Sequence, residues 1–304
     1  MGLQAWFGGS RSRRPAQASD QQRYWEDLLT SLLMMAWFVE ARDPYTGGHL
    51  WRVSRYAQLM ARVAELSEQE VAQIGLGGFL HDLGKISIQD DILRKPGPLD
   101  EDEFAVIRTH PEQGARLLAG HPLADLVKPA VLLHHERPDG NGYPKGLRGR
   151  EIPDIARVVG VADAFDAMTS ARPYRQPMSI DRALDVVMAG RGTQFDARWA
   201  DVLVNLVDKA DLEHIQGHSD EGIPLQECPM CGPTLVVMRH HRSADPIYCR
   251  SCSGEFLVLR ENGSIQVVPT GNRGDANKLE PEADEALIVD VVRETVRNLS
   301  FIRA

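Results

Sequence analysis

The chain has 304 residues, 43% of them hydrophobic and 25% charged, enough for one large domain with a small one or for two. Its 34 basic and 43 acidic side chains leave a formal net charge of −9, which argues against a general nucleic-acid binder. An anionic substrate remains open, because bound divalent ions and a few placed arginines can reverse the sign locally.

Residues 1–20, rich in Gly, Ser, Arg and Gln, read as a mobile leader without a secretory pattern. Over 21–42 apolar residues recur at helical spacing, and the segment ends at charged residues and Pro44. Its apolar run, 28–39, is broken by Thr30 and Ser31 and is too short to cross a bilayer. A helix carrying His49, Val53, Tyr56 and Met60 on one face follows Thr46 and two glycines. Further helices are expected over 68–80, 101–109 (capped by Asp100), 111–119, 123–135, 155–170, 180–189 and 197–207. Strand signals are nearly absent before residue 220, so 21–212 reads as an all-α bundle with one Gly/Pro-rich loop at 137–153. Residues 213–225 read as a linker. Alternation at 234–238, 255–259 and 265–268 marks a small β unit within 226–270. The last part, 271–304, reads as a polar linker and an amphipathic helix bearing Leu287, Ile288, Val291, Val292, Val296 and Leu299.

Seven side chains in the helical half suit a metal centre: His49, His81, Asp82, His110, His134, His135 and Asp163. One histidine on an apolar face is usually an ordinary core residue. Seven candidates, with adjacent His-Asp and His-His pairs and with His49 and Asp163 on inward faces, are better explained by a bundle that gathers ligands in its interior. Imidazole and carboxylate without thiolate suit Fe, Mn, Co or Zn. Lys85 lies one turn from Asp82. Asp166 could orient a histidine ring or simply stabilise its helix. The segment Gly140-Asn141-Gly142-Tyr143-Pro144 has tight-turn chemistry, and Arg172 and Arg175 could clamp phosphate oxygens or sit on the surface.

In TGGHLWRVSRYA (46–57), HDLGKISI (81–88), HPEQGARLL (110–118), HHERPDGNGYPKGL (134–147), VADAFDAMTSARPYR (161–175) and TQFDA (193–197), the chain resembles the HD-GYP family of cyclic di-GMP phosphodiesterases, a branch of the HD superfamily of metal-dependent phosphohydrolases. That resemblance implies an HD-type bundle whose metal ions cut a phosphodiester of cyclic di-GMP, giving a linear dinucleotide or GMP. It assigns His49, His81 and Asp163 to one ion and His110, His134 and His135 to the other, with Asp82 bridging. It also implies catalytic or phosphate contacts from Lys85, a substrate wall from Gly142, Tyr143 and Pro144, and phosphate contacts from Arg172 and Arg175. Members with a third ion carry a glutamate four residues before the first histidine; Tyr45 stands there, so two ions, Fe or Mn, are expected. Hydrolysis of another nucleotide, or an inactive scaffold that only binds ligand, are the competing readings.

All four cysteines fall in CPMCG and CRSCSG, so Cys228, Cys231, Cys249 and Cys252 read as a zinc ribbon holding one structural Zn²⁺, and a reducing cytoplasm is the natural home. His240 and His241 fall between the pairs, where four thiolates already complete the shell. The ribbon and the last helix are expected to fold apart from the bundle and to serve a protein partner or self-association, with no membrane and no nucleic acid involved.

Overall fold

A computed structural model describes residues 20–43, 45–95, 97–171, 176–206, 209–261 and 263–299. The expected leader, except for Asp20, lies outside these residues, as do Arg172 and Arg175. Eleven described helices precede the β part: α1 (Asp20–Glu40), α2 (His49–Val63), α3 (Glu68–Leu80), α4 (Asp90–Leu93), α5 (Glu101–Ile107), α6 (His110–Leu117), α7 (Ala124–Leu133), α8 (Asp154–Thr169), α9 (Ile180–Ala189), α10 (Ala197–Val204) and α11 (Lys209–Gln216). Local chemistry sets several boundaries. Ser67 and Glu70 form a reciprocal capping box that starts α3, and Asp100 and Glu103 do the same for α5.

The core lies where α2, α3 and α8 meet, with α7 and α10 closing its sides. Tyr56, Phe79, Phe165 and Trp199 are buried there, and the Tyr56 and Phe165 rings meet edge to face at 5.1 Å. Gly78 lets α3 approach α2 closely, since a Cβ at that position would stand 3.0 Å from the Ser54 backbone. Among the described residues no helix is long and apolar enough to cross a membrane.

The β part has three small antiparallel units. Strands β1 (His218–Asp220) and β2 (Ile223–Pro224) pair, as do β3 (Gln226–Glu227) and β4 (Thr234–Leu235). A three-stranded sheet runs in the order β5 (Pro246–Tyr248), β6 (Gly254–Glu261), β7 (Ser264–Arg273). Its own core is small: Ile223, Leu235, Val237, Ile247, Phe256, Val258 and Ile265 with Cys228 and Cys249. The chain is thus mostly helical, with small sheets toward its C-terminal side.

Three expectations are corrected. The supposed linker 213–225 is folded: α11 buries Leu212 and Ile215, three residues apart, in the main core, and β1 and β2 follow. Its polar composition concealed that narrow apolar stripe. The strand expected over 234–238 stops at Leu235, because Val236 and Met238 leave the sheet to pack on the bundle. The last helix, α12 (Glu285–Asn298), is part of the bundle and not a free docking face.

Leu287, Ile288, Val292, Val296 and Leu299 enter the main core against α1 and α3. The Trp37 indole donates to the Glu282 carbonyl at 2.8 Å, and Glu294 pairs with Arg55 at 3.0 Å. The face offered to a partner is therefore covered by the chain itself. Ile288→Ala is expected to lower unfolding free energy in urea by about 2–5 kcal/mol, the usual cost of a core truncation. A chain ending at Gln216 should melt earlier still. Unchanged midpoints in both would show that α12 contributes nothing to the bundle.

Candidate metal centre

Helix ends bring six of the seven candidate ligands together, and the seventh comes from within a helix. His49 opens α2 after Gly47 and Gly48, and Gly48 holds φ at 77°, which favours glycine. The buried Glu40 carboxylate caps this helix start, accepting from the Gly48 and Leu50 amides at 2.7 Å each. His81 and Asp82 end α3, and a 3-10 turn over Leu83–Ser87 then places Lys85. That turn lies flush on the start of α6: a Cβ on Gly84 would stand 1.8 Å from the His110 carbonyl oxygen. His134 and His135 follow the end of α7, and Asp163 projects from the middle of α8.

The ring nitrogens show what the centre is built for. His81 Nδ1 lies 2.7 Å from the Gly78 carbonyl, His110 Nδ1 2.8 Å from that of Ile107, and His134 Nδ1 3.0 Å from that of Ala130. A carbonyl can only accept, so each Nδ1 carries the proton and each Nε2 turns a lone pair inward. His81 Nε2 is buried without a hydrogen-bond partner. His110 Nε2 and His134 Nε2 stand 3.3 Å apart. Two lone pairs at that separation repel, and a cation close to both removes the conflict. The donor set therefore fits metal.

Asp82 faces both halves. Its Oδ2 lies 3.3 Å from His81 Nε2 and 3.6 Å from His49 Nε2, whereas Oδ1 lies 3.3 Å from His110 Nε2. Asp163 Oδ1 stands 3.6 Å from His49 Nε2 on the first side. His110, His134 and His135 gather on the other. Lys85 Nζ rests on Asp82 Oδ2 at 2.6 Å.

Burial opposes charge throughout, and the neighbours decide the outcome. Burial holds His110 at about 4 and His135 at about 3, and together with the adjacent imidazoles it pushes His134 well down. Those rings are neutral and ready to coordinate at neutral pH. For Asp82 burial is outweighed by Lys85 and His81, and for Asp163 by His81 and His49, so both stay ionised. His49 is raised to about 9 against its burial by hydrogen bonds to Asp166 and Asp82.

Asp166 answers the question left open by its sequence position. It is 1% exposed, and its Oδ2 accepts from His49 Nδ1 at 2.7 Å, orienting that ring as a carboxylate behind a metal ligand does. The same carboxylate is clamped by Arg52 Nε at 2.6 Å and Nη2 at 3.2 Å. Arg52 was not singled out in the sequence. Its position one turn after His49 was the available signal, masked because arginine on a helix is usually solvated.

The Gly-Tyr-Pro loop borders an open cleft of about 490 Å³ that reaches His134, His135 and Asp163. Glu136 fastens this loop by accepting from the Lys145 amide at 2.6 Å and the Leu147 amide at 2.8 Å. Gly142 is required there, since a Cβ would stand 2.3 Å from the Arg137 nitrogen. The Tyr143 ring stacks on His135 at 4.7 Å, and the exposed Arg108 guanidinium lies over the same ring at 4.7 Å. Arg108 was likewise missed, being an isolated arginine two residues before His110.

The four cysteines form a second cluster. Neighbouring sulfurs stand 3.5 Å (Cys231 to Cys249), 3.6 Å (Cys228 to Cys231) and 3.7 Å (Cys228 to Cys252) apart. These spacings are far beyond a disulfide and near the edge of a ZnS₄ tetrahedron, about 3.8 Å for Zn–S bonds of about 2.3 Å. His240 and His241 gather with Glu282 instead.

The HD domain family matches residues 34–199, more than half of the chain. The chain belongs to the HD domain family. Its HD domain is similar to that of the cyclic di-GMP phosphodiesterase response regulator RpfG of Xanthomonas campestris, 46% identical over 62% of this chain and 50% of that protein. A cyclic di-GMP phosphodiesterase of Thermotoga maritima is 38% identical over 66% of this chain and 58% of that protein. The 3′3′-cGAMP-specific phosphodiesterase 2 of Vibrio cholerae is 37% identical over 56% and 33%. The chain thus spans between a third and somewhat over half of the length of these curated relatives.

Replacing Asp166 by Asn should leave the Arg52 charge buried without its partner and free the His49 ring. A loss of about 3–5 kcal/mol in unfolding free energy is expected, with metal retention weakened about 10–100-fold. Denaturant titration and a competitive chelator assay would check both. Unchanged chelator competition would remove Asp166 from the support of His49.

Proposed function

We propose that this chain is a metal-dependent phosphodiesterase that hydrolyses cyclic di-GMP to the linear dinucleotide. His49, His81 and Asp163 hold one divalent ion, Fe or Mn, His110, His134 and His135 hold the other, and Asp82 bridges them. The supporting observation is the division of Asp82, whose two oxygens face different histidine groups. Such a pair of ions supplies an acidified water and positive charge that neutralises the phosphate. Lys85, one turn from Asp82, reaches a phosphate oxygen and offsets the charge that builds there. Arg108 and Tyr143 form the wall of the cleft, where the guanidinium meets a second phosphate. Arg172 and Arg175 add phosphate contacts on the strength of the family pattern, and Gly142 and Pro144 shape the loop.

Two ions are favoured over three. Glu40 is occupied in capping α2, and Tyr45 pairs with the Ser251 hydroxyl beside Cys231 and Cys249. Neither is free to coordinate a further ion in the catalytic centre. The cysteine cluster holds one structural Zn²⁺, and a shell of four thiolates suits a reducing cytoplasm. A second reading, hydrolysis of 3′3′-cyclic GMP-AMP, is favoured by the relatives that bear that name.

Anaerobically prepared, Mn-loaded full-length protein should bind two manganese ions and one zinc per chain and cleave cyclic di-GMP faster than cyclic GMP-AMP. Asp82→Ala should reduce hydrolysis to background with loss of manganese and retention of zinc. Near-normal turnover by that variant would sink the bridging role, and a preference for cyclic GMP-AMP would transfer the assignment to the second reading. Arg108→Ala should raise KM about tenfold, the scale of one hydrogen bond to a charged group, with a smaller change in kcat. An unchanged KM would place Arg108 outside the substrate contacts.

A further inference from the structure

The segment leading into His49 is walled on one side by the cysteine module. Ala41, Tyr45, Gly47 and Gly48 each touch a residue beyond position 217. Arg250, between the two cysteines of the second pair, donates from Nη1 to the Ala41 carbonyl at 2.6 Å. Its neighbour Ser251 pairs with the Tyr45 phenol. Gly47 is pressed against β4 and the residue after it: a Cβ there would stand 2.8 Å from Thr234 Cγ2 and 3.1 Å from Val236 Cγ2. Gly48 faces β1 in the same way, with a Cβ position 2.6 Å from the Ser219 backbone. From the bundle side Glu40 grips the Gly48 and Leu50 amides, and Arg52 Nη1 reaches the Gly47 carbonyl at 3.1 Å. The two walls meet on the residues immediately before His49.

We infer that Arg250 and Thr234 of the cysteine module are positioning residues for the catalytic centre, setting the 41–48 segment so that His49 meets its ion in register. The inference rests on the two-ion reading of the centre. The physical reason lies in how α2 begins. His49 is the first residue of its helix, so its ring position depends on the loop before it as well as on the helix after it. On the bundle side Arg42 anchors the start of that loop to the Lys85, Ile86 and Ile88 carbonyls and to Asp90, whereas its end, next to His49, is held by Glu40 and Arg52. A loop left with a single wall gains freedom, and a ligand displaced by a fraction of an ångström loses much of its contribution to a fixed coordination shell. Arg250 is half-buried, and its hydrogen bond goes to a main-chain carbonyl.

The test uses full-length protein and reads manganese affinity, zinc content and kinetics in the same samples. Gly47→Ala should clash only with the module and raise the manganese dissociation constant of one of the two sites about 10–100-fold, with zinc still at one per chain. Adding Thr234→Ser removes the closest atom, Cγ2, and should recover a large part of that affinity. Arg250→Met keeps the stem but removes the donor, and should weaken the same site without any clash. In each weakened variant kcat at limiting manganese should fall more than KM rises, because substrate contacts are untouched.

Normal manganese affinity in both Gly47→Ala and Arg250→Met would overturn the positioning role, as would loss without recovery in the Gly47→Ala/Thr234→Ser protein. A wild-type chain that binds no manganese would overturn the two-ion reading first. That failure is distinguished by the wild-type arm alone.

Discussion

Three ionised carboxylates share the interior end of this bundle, and their charge is the constraint that organises everything around it. Asp82, Asp163 and Asp166 all surround His49, in a place where burial alone would keep them neutral. Arg52 answers Asp166 and Lys85 answers Asp82, which leaves Asp163 and a ring of inward lone pairs without a fixed counter-charge. The raised pKa of His49 expresses the same surplus, because a proton takes the place a cation would hold. Neutral His110, His134 and His135 on the far side add donors without adding positive charge. The centre is balanced by a proton on His49 or by a cation in its place.

That arrangement dictates the backbone. Ligands that must converge within a few ångströms are hard to supply from helix middles, whose axes are separated by the width of their side chains. Here six of the seven sit at or just beyond helix ends. Close approach is then bought with small residues: Gly84 against His110, Gly78 against α2, Gly142 within the loop beyond His135. Each of these glycines is set by a neighbouring backbone atom and not by flexibility.

Much of this was legible in the chain. The helices expected over 68–80 and 180–189 match α3 and α9 at their observed limits, and the seven ligand candidates stood out by number and adjacency. What remained hidden shares one physical property, a role exercised through a partner distant in sequence. Arg52 is indistinguishable from a solvated arginine until Asp166, 114 residues away, is seen to hold it. Arg108 needs Tyr143, and α11 needs the floor of the bundle to give meaning to its two apolar residues. The apolar face of α12 was seen but assigned to the wrong occupant, because periodicity reports that a face is covered and not by what.

The pairing of α12 with α1 has a consequence for how the protein is made. Some 258 to 270 residues separate Leu29 from the side chains of 287–299 that share its core. At a synthesis rate of roughly 5–20 residues per second, the apolar flank of α1 stays bare for about 10–50 s after it leaves the ribosome. During that interval a nascent chain already carries His49, His81 and His110 but lacks the cover that fixes their helices. Chaperone demand should therefore concentrate late in translation, and a ribosome stalled within the β part would release a chain that is metal-hungry and sticky at once.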